Sequence, residues 1–437
     1  MEAVHACLDS SKLVNNNNMV SKAMQRVLGV AGLLATTDCS VLTPRDVTYA
    51  NAEAAYTQLQ TWYNQSIGLW IPSTGWWNSA NCLTVITDLA AIDSNVKSSV
   101  IGVLSNTYVK AQQYNLNMTK VQGTESQPFL PTCYYGDHWP HFPPTWFQHH
   151  GRPQARKASG FLNDYYDDEG WWALAWIAAY DLTRNQQYLS QAEAIFNDMN
   201  AVFGKTNCST NSGGTGGIWW DRPKTYVNAI ANELFLSVAA SLANRAPSSK
   251  TNYLVIAKQQ WAWFKGTGMM NAHNTINDGL NQQTCKNNGG TVWSYNQGVV
   301  LGGLVELSKA TKDTSYITSA QKIADATITA LAPNGILQDP CEPDCGADGT
   351  QFKGVFVRNL QKLYTASPKA SYANFLDANA DSIWANDRQG STLSVRWSSF
   401  VPPGNASTQS SAMDCLVASL ATSSESLSMA EGVLRDT

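Results

Sequence analysis

The chain has 437 residues with 29 basic against 33 acidic side chains, and no Lys/Arg run that could track a phosphate backbone, which excludes nucleic acid as a partner. Its 43% hydrophobic content is enough for one large core or two ordinary ones and lacks the signature of disorder. What departs from the ordinary is aromatic: 16 Trp and 17 Tyr, many beside Gly, Asn or Asp, where a flat apolar face with a polar edge can serve a core or a ligand.

Residues 1–45 read as an N-terminal extension. Lys22 and Arg26 precede the short apolar run VLGVAGLLA (27–35), the order of a secretory signal and too short to span a bilayer, although it begins late, after an NNNN tract. An ordinary buried segment is the alternative. From residue 46 to about 425 a pattern recurs six times. A loop rich in Gly, Trp, Asn, Ser or Asp leads into a largely apolar segment of helical spacing, and each is partnered by a plainer amphipathic segment.

In chain order, the partner at 49–63 precedes TGWWNSANCLTVITDLAAI, and 96–114 follows it. YYDDEGWWALAWIAAYDLT is followed by 188–202, and GGIWWDRPKTYVNAIANELFLSVAASLA by 253–264. GTVWSYNQGVVLGGLVELSKA is followed by 316–331, GTQFKGVFVRNLQKLYTAS by 372–384, and STQSSAMDCLVASLA ends the series. In 316–331, Ile317, Ala320, Ile323, Ala324, Ile328 and Leu331 form a single apolar stripe, as expected of an outer helix. The six richer segments are apolar around more of their circumference and are expected to be inner. This predicts an all-α fold of six helical hairpins in a ring, with the loops before the inner helices converging on one cleft. Residues 426–437 are a tail that ends MAEGVLRDT, without the hydrophobic run of a GPI signal.

Between 119 and 160 the pattern is interrupted by a Pro- and His-rich stretch. Its Cys133, His138, His141, His149 and His150 have no regular ligand spacing, so a lid or a gene-model artefact is expected there in preference to a metal site. No metal and no cofactor is expected anywhere. Nine cysteines include the close pair Cys341 and Cys345, which reads as a small disulfide loop. Sequons begin at Asn64, Asn117, Asn207 and Asn405, in keeping with a glycosylated secretory protein.

The chemistry concentrates in NDYYDDEGWW. Asp167, Asp168 and Glu169 repel one another beside bulky aromatics, a costly arrangement unless it is used. Acids in the first turn of a helix are stabilised by its unpaired amides and dipole, and helix-terminal acids with no further role are the plain reading. The neighbouring aromatics cap nothing, and Asn228, Asn232, Asp278, Trp293, Tyr295 and Asn296 lie at related positions of other repeats, which favours a site. Trp77, Asn81, Trp171 and Trp172 complete the candidate binding set. Trp171 and Trp172 point about 100° apart on a helix, so one is expected in the wall and the other toward the cleft. Two carboxyl groups suit glycosidic cleavage, one protonating the departing oxygen and one meeting the anomeric carbon; a gap of about 5 Å gives retention, a wider one inversion. Adjacent side chains at a loop-to-helix junction can reach the shorter gap, and sequence order does not assign the roles.

The YYDDEGWWALAW block, with TYVNAIANELFL, INDGL and WSYNQGVVLGGL, resembles glycoside hydrolase family 76, the endo-α-1,6-mannanases, in particular fungal secreted members, from about residue 49 to about 421. The resemblance implies an (α/α)6 barrel and retaining endo-hydrolysis of α-1,6-mannan, with Asp167 as nucleophile, Asp168 as general acid/base and Asp278 in the sugar cleft. A monomer that is secreted or in the cell wall is expected, with membrane association left open. Two other readings stand beside it: a wall transglycosylase acting on GPI-linked mannose glycans, and a non-catalytic mannan-binding protein.

Overall fold

The computed structural model describes residues 46–113, 160–209, 215–247 and 249–422. The secretory-signal reading of 27–35, most of the insert at 119–160 and nearly all of the expected tail lie outside these residues, as do Cys133 and the four insert histidines.

Among the described residues twelve long helices alternate between two layers. The outer layer holds α1 (Tyr49–Gln60), α3 (Ser94–Lys110), α5 (Gln186–Asn200), α7 (Lys250–Gly266), α9 (Ser315–Leu331) and α11 (Ala370–Asn386). The inner layer holds α2 (Trp76–Ile92), α4 (Tyr166–Thr183), α6 (Ala229–Arg245), α8 (Ser294–Thr311), α10 (Phe352–Ala366) and α12 (Ala406–Ala421). Each inner helix packs on the next, and α12 returns to pack on α2, closing the ring. The fold is the expected (α/α)6 barrel.

Burial explains the two layers. In α9 only Ala320, Ile323, Ala324, Thr327 and Leu331 are buried, one stripe of an amphipathic helix, whereas α6 is buried without a break from Ala229 to Ala243. A helix enclosed on all sides needs small residues where its neighbours come close. A Cβ on Gly298 of α8 would lie 2.5 Å from the Phe356 Cα of α10, and one on Gly354 would lie 2.6 Å from the Ser411 Cα of α12, so glycine sets the spacing of these three helices.

The inner helices are parallel. Trp77 and Trp171 meet near the starts of α2 and α4, while Arg245 at the end of α6 binds Asp181 and Glu306 near the ends of α4 and α8, at 2.7 and 2.9 Å. Six helix N-termini therefore share one mouth of the barrel. The opposite mouth holds a cavity of about 350 Å³ whose walls include Asp88, Asp181, Arg245, Glu306, Arg358 and Lys362.

Long loops lead to the first mouth and are tied down. The Cys208–Cys285 disulfide joins the loop after α5 to the loop before α8, and Cys341–Cys345 closes the small loop expected from sequence. Cys82 and Cys415 are free and buried. Three sequon asparagines are already engaged: Asn64 Oδ1 accepts from Ser66, Asn405 caps α12, and the Asn207 amide donates to the Gln282 carbonyl. Among the described residues no helix is long and apolar enough to cross a membrane.

Candidate active site

The acid block forms the first turn of α4, as its sequence suggested. Tyr165 is the extended N-cap residue, and the chain before it is pinned by the loop between α5 and α6: Tyr166 N donates to the Trp220 carbonyl (2.9 Å) and Arg222 N to the Asp164 carbonyl (3.0 Å). This pairing brings Trp220 against Asp167, while Trp219 Nε1 turns to the Lys205 carbonyl. Trp220 Nε1 donates to Asp167 Oδ2 at 3.0 Å, and Asn163 Nδ2 donates to Asp168 Oδ2 at 2.7 Å. Asp167 keeps 6% exposure and Asp168 none.

Glu169 is enclosed, and its environment is built for it. Arg222 Nη2 lies 2.5 Å from Glu169 and 2.7 Å from Asp198, its Nε donates to the Asn163 carbonyl, and its guanidinium stacks on Tyr166. Asn163 N in turn donates to Glu169 Oε1. Burial raises the Glu169 carboxyl well above the usual range and the Arg222 charge opposes that shift. Arg222 thus fixes both ends of the segment that holds Asp168.

Across the cleft, Ala229 N donates to the Asp278 carbonyl, so the INDGL turn runs beside the start of α6. Asp278 Oδ2 accepts from the Tyr226 hydroxyl at 2.8 Å, and burial, with Asp167 adding to it, pushes its carboxyl up to about 6. Trp293 and Tyr295 belong to the start of α8; Tyr295 stacks on Phe352 at 3.7 Å between ring centres, and burial, with the nearby carboxylates adding to it, raises its hydroxyl well above the ordinary value. Beneath them Glu233 is fully buried with neither carboxyl oxygen hydrogen-bonded among the described residues, and both side-chain polar atoms of Asn296 are in the same position. Burial, with the Asp278 charge adding to it, raises the Glu233 carboxyl well above its ordinary value.

The other expected binding residues divide. Trp171 stacks on Trp77 at 5.6 Å. Trp172 has no exposed surface and is sealed among Trp76, Phe161 and Trp176, which makes it the wall residue of the pair. Trp171 is only 2% exposed, so neither ring projects freely into the cleft. Asn81 accepts from the Arg358 guanidinium. Asn232 accepts from Ile218 N and Gln260 Nε2 and so anchors the long loop, and Asn228 is the N-cap of α6. As placed, the side chains of Asn81, Asn232 and Trp172 are committed to the scaffold; the tandem patterns in which they occur do not distinguish a lumen-facing residue from one turned to a neighbouring helix. Arg222, Tyr226, Asn163 and Asp348 were not singled out in the sequence. In sequence Arg222 stands only as a cation after Trp-Trp-Asp, two residues before Lys224.

A model of glycosyl hydrolase family 76 matches residues 148–431. Among curated proteins, the mannan endo-1,6-alpha-mannosidase DFG5 of Candida albicans is 24% identical over 337 residues, 73% of this chain and 65% of that protein. The protein of the same name from Saccharomyces cerevisiae is 28% identical over 219 residues, 46% of each chain. The chain therefore spans about half to two thirds of the length of these relatives. Among solved structures, an inactive variant of the alpha-1,6-mannanase GH76A of Salegentibacter sp., with two consecutive aspartates replaced by asparagine and alpha-1,6-mannotriose bound, has a TM-score of 0.65 at 19% identity, covering 85% of this chain and 98% of that one. Dfg5 from Chaetomium thermophilum in complex with glucosamine has a TM-score of 0.65 at 18% identity, covering 86% and 92%. At these identities the likeness is one of fold.

Proposed function

The chain belongs to glycosyl hydrolase family 76, and from that premise we propose that it cleaves α-1,6-mannosidic bonds within mannan, with retention, using Asp167 and Asp168. The observation that carries the reading is the consecutive Asp pair in the first turn of α4, beneath Trp220 and facing Asp278 at the mouth where six inner-helix N-termini meet. The neighbour in which two consecutive aspartates are replaced is named as inactive and holds mannotriose, which supports assigning the chemistry to this pair.

In this reading Asp167, the more exposed of the two, attacks the anomeric carbon while Asp168 gives its proton to the departing O6 of the next mannose, forming a glycosyl ester on Asp167. Asp168 then takes a proton from water, whose oxygen displaces Asp167, and two inversions give net retention. Asp168 starts held by Asn163 and turns from that hold toward the glycosidic oxygen. Trp220 Nε1 donates to Asp167 Oδ2 and holds that side chain in place. Passing the sugar to another hydroxyl instead of water uses the same ester, and the glucosamine in the Chaetomium Dfg5 structure favours keeping that as the second reading. Incubation with linear α-1,6-mannan should release short manno-oligosaccharides, and Asp167→Asn or Asp168→Asn should stop release without altering the unfolding midpoint. Full activity in either variant overturns the assignment.

A further inference from the structure

We infer that Asp348 is a sugar-binding residue of this cleft, accepting hydrogen bonds from hydroxyls of a mannosyl unit next to the scissile bond; the inference rests on the mannan-cleaving reading above.

Asp348 is half-buried in a one-turn helix, Gly346–Gly349, within the loop before α10, and nothing in its local sequence demands a carboxylate there. Its position is over-determined. Trp77 Nε1, from the far side of the ring, donates to Asp348 Oδ1 at 2.8 Å. The Cys341–Cys345 disulfide closes the loop just before it, and Gly349 is packed so near that a Cβ there would lie 3.2 Å from Cys341 Sγ. Upstream, Glu342 is locked to the buried Lys353 of α10 at 2.6 Å, and Lys353 Nζ also donates to the Val395 carbonyl. A loop fastened at so many points holds its carboxylate still.

What it is held against is a set of rings. Trp77 stacks on Trp171, four residues after Asp167, and lies 6.5 Å from Phe352, which stacks on Tyr295. Asp278, Asp167, Asp348 and Glu233 all act on the Tyr295 hydroxyl, which places Asp348 within electrostatic reach of the same phenol as Asp167. These rings are buried against one another, so they make a stiff wall, and a fixed carboxylate at its edge, near Asp167, is placed to accept from the hydroxyls of a sugar in the cleft. If Asp348 served only to satisfy the Trp77 N–H, a neutral acceptor would do equally well, and this separates the two roles.

The experiment measures binding of α-1,6-mannotriose by titration calorimetry in the Asp167→Asn background, with Asp348→Asn and Asp348→Ala added. Asp348→Asn keeps an acceptor for Trp77 and should retain the parent's unfolding midpoint, yet bind several-fold more weakly. Asp348→Ala should bind roughly 10- to 100-fold more weakly, the range for losing hydrogen bonds to a charged group. Unchanged affinity in Asp348→Asn overturns the inference even if Asp348→Ala fails to fold. No binding by the Asp167→Asn parent itself would instead overturn the mannan reading, so the two failures are distinct.

Discussion

Replacing Arg222 by Met keeps the length of the side chain and removes the charge that faces Glu169. The Glu169 side chain has no exposure, while Arg222 is 19% and Asp198 25% exposed, so the pair is buried on one side and partly wet on the other. Removing one partner of a buried ion pair costs about 3–5 kcal/mol; partial screening on the Asp198 side points to the lower end, about 3 kcal/mol. Activity should fall too, because Arg222 Nε holds the Asn163 carbonyl and Asn163 Nδ2 holds Asp168. Urea unfolding of Arg222→Met, Glu169→Gln and the double variant, with mannan hydrolysis measured alongside, tests both parts. The double variant leaves no buried charge to orphan and should recover most of the stability lost in Arg222→Met, while turnover stays low because the Asn163 contact is still absent. A midpoint for Arg222→Met within the equivalent of 1 kcal/mol of wild type, or a double variant no more stable than the single, refutes the reasoning.

Trp172→Ala should lower stability by about 3–5 kcal/mol, since it empties an aromatic stack with no exposed surface; a wild-type unfolding midpoint would show that the wall does not depend on it. Replacing Cys208 and Cys285 by Ser opens a loop of sequence separation 77 and should cost about 4 kcal/mol in the chain-entropy account, with unfolding measured under non-reducing conditions as the check. Burial pushes Asp339 up to about 6 and Asp387 up to about 7, from an ordinary 3.8, with Glu342 adding to the shift and Lys353 and the neighbouring serines opposing it. An acid that holds its proton longer in the fold than in the unfolded chain makes stability fall as pH rises between those two values, so the melting temperature should decline from about pH 4 to about pH 7. Asp387→Asn, which preserves an acceptor for Ser394, should flatten that decline, and an unchanged slope would contradict the assignment.

The ring of hairpins was legible because enclosure and half-exposure leave different patterns: α9 shows one stripe and α6 is apolar nearly throughout. The acid block was legible for the opposite reason, as a local conflict of charges and bulky rings that a scaffold alone would not keep. The side each ring faces was not. Trp171 and Trp172 are fixed about 100° apart by helix geometry, but which of them meets Phe161 depends on a segment that joins α4 from outside it. Long-range partners were equally hidden. Arg222 finds Glu169 across 53 positions and Asp198 across 24, and Asp348 finds Trp77 across 271, pairings that exist only once the ring has closed. Asn81 and Asn232 were candidates from their places near inner-helix starts, and sequence does not show that the Asn81 oxygen accepts from Arg358 or that Asn232 accepts from Ile218 N.

The central claim is tested most directly by following the wild-type protein on linear α-1,6-mannan by proton NMR from the first turnover. Short manno-oligosaccharides whose new reducing ends appear first as the α-anomer are the predicted result, since an ester on Asp167 must be displaced from the opposite face. First appearance of the β-anomer would contradict retention, and tight mannan binding with no new reducing ends after prolonged incubation would contradict hydrolysis altogether.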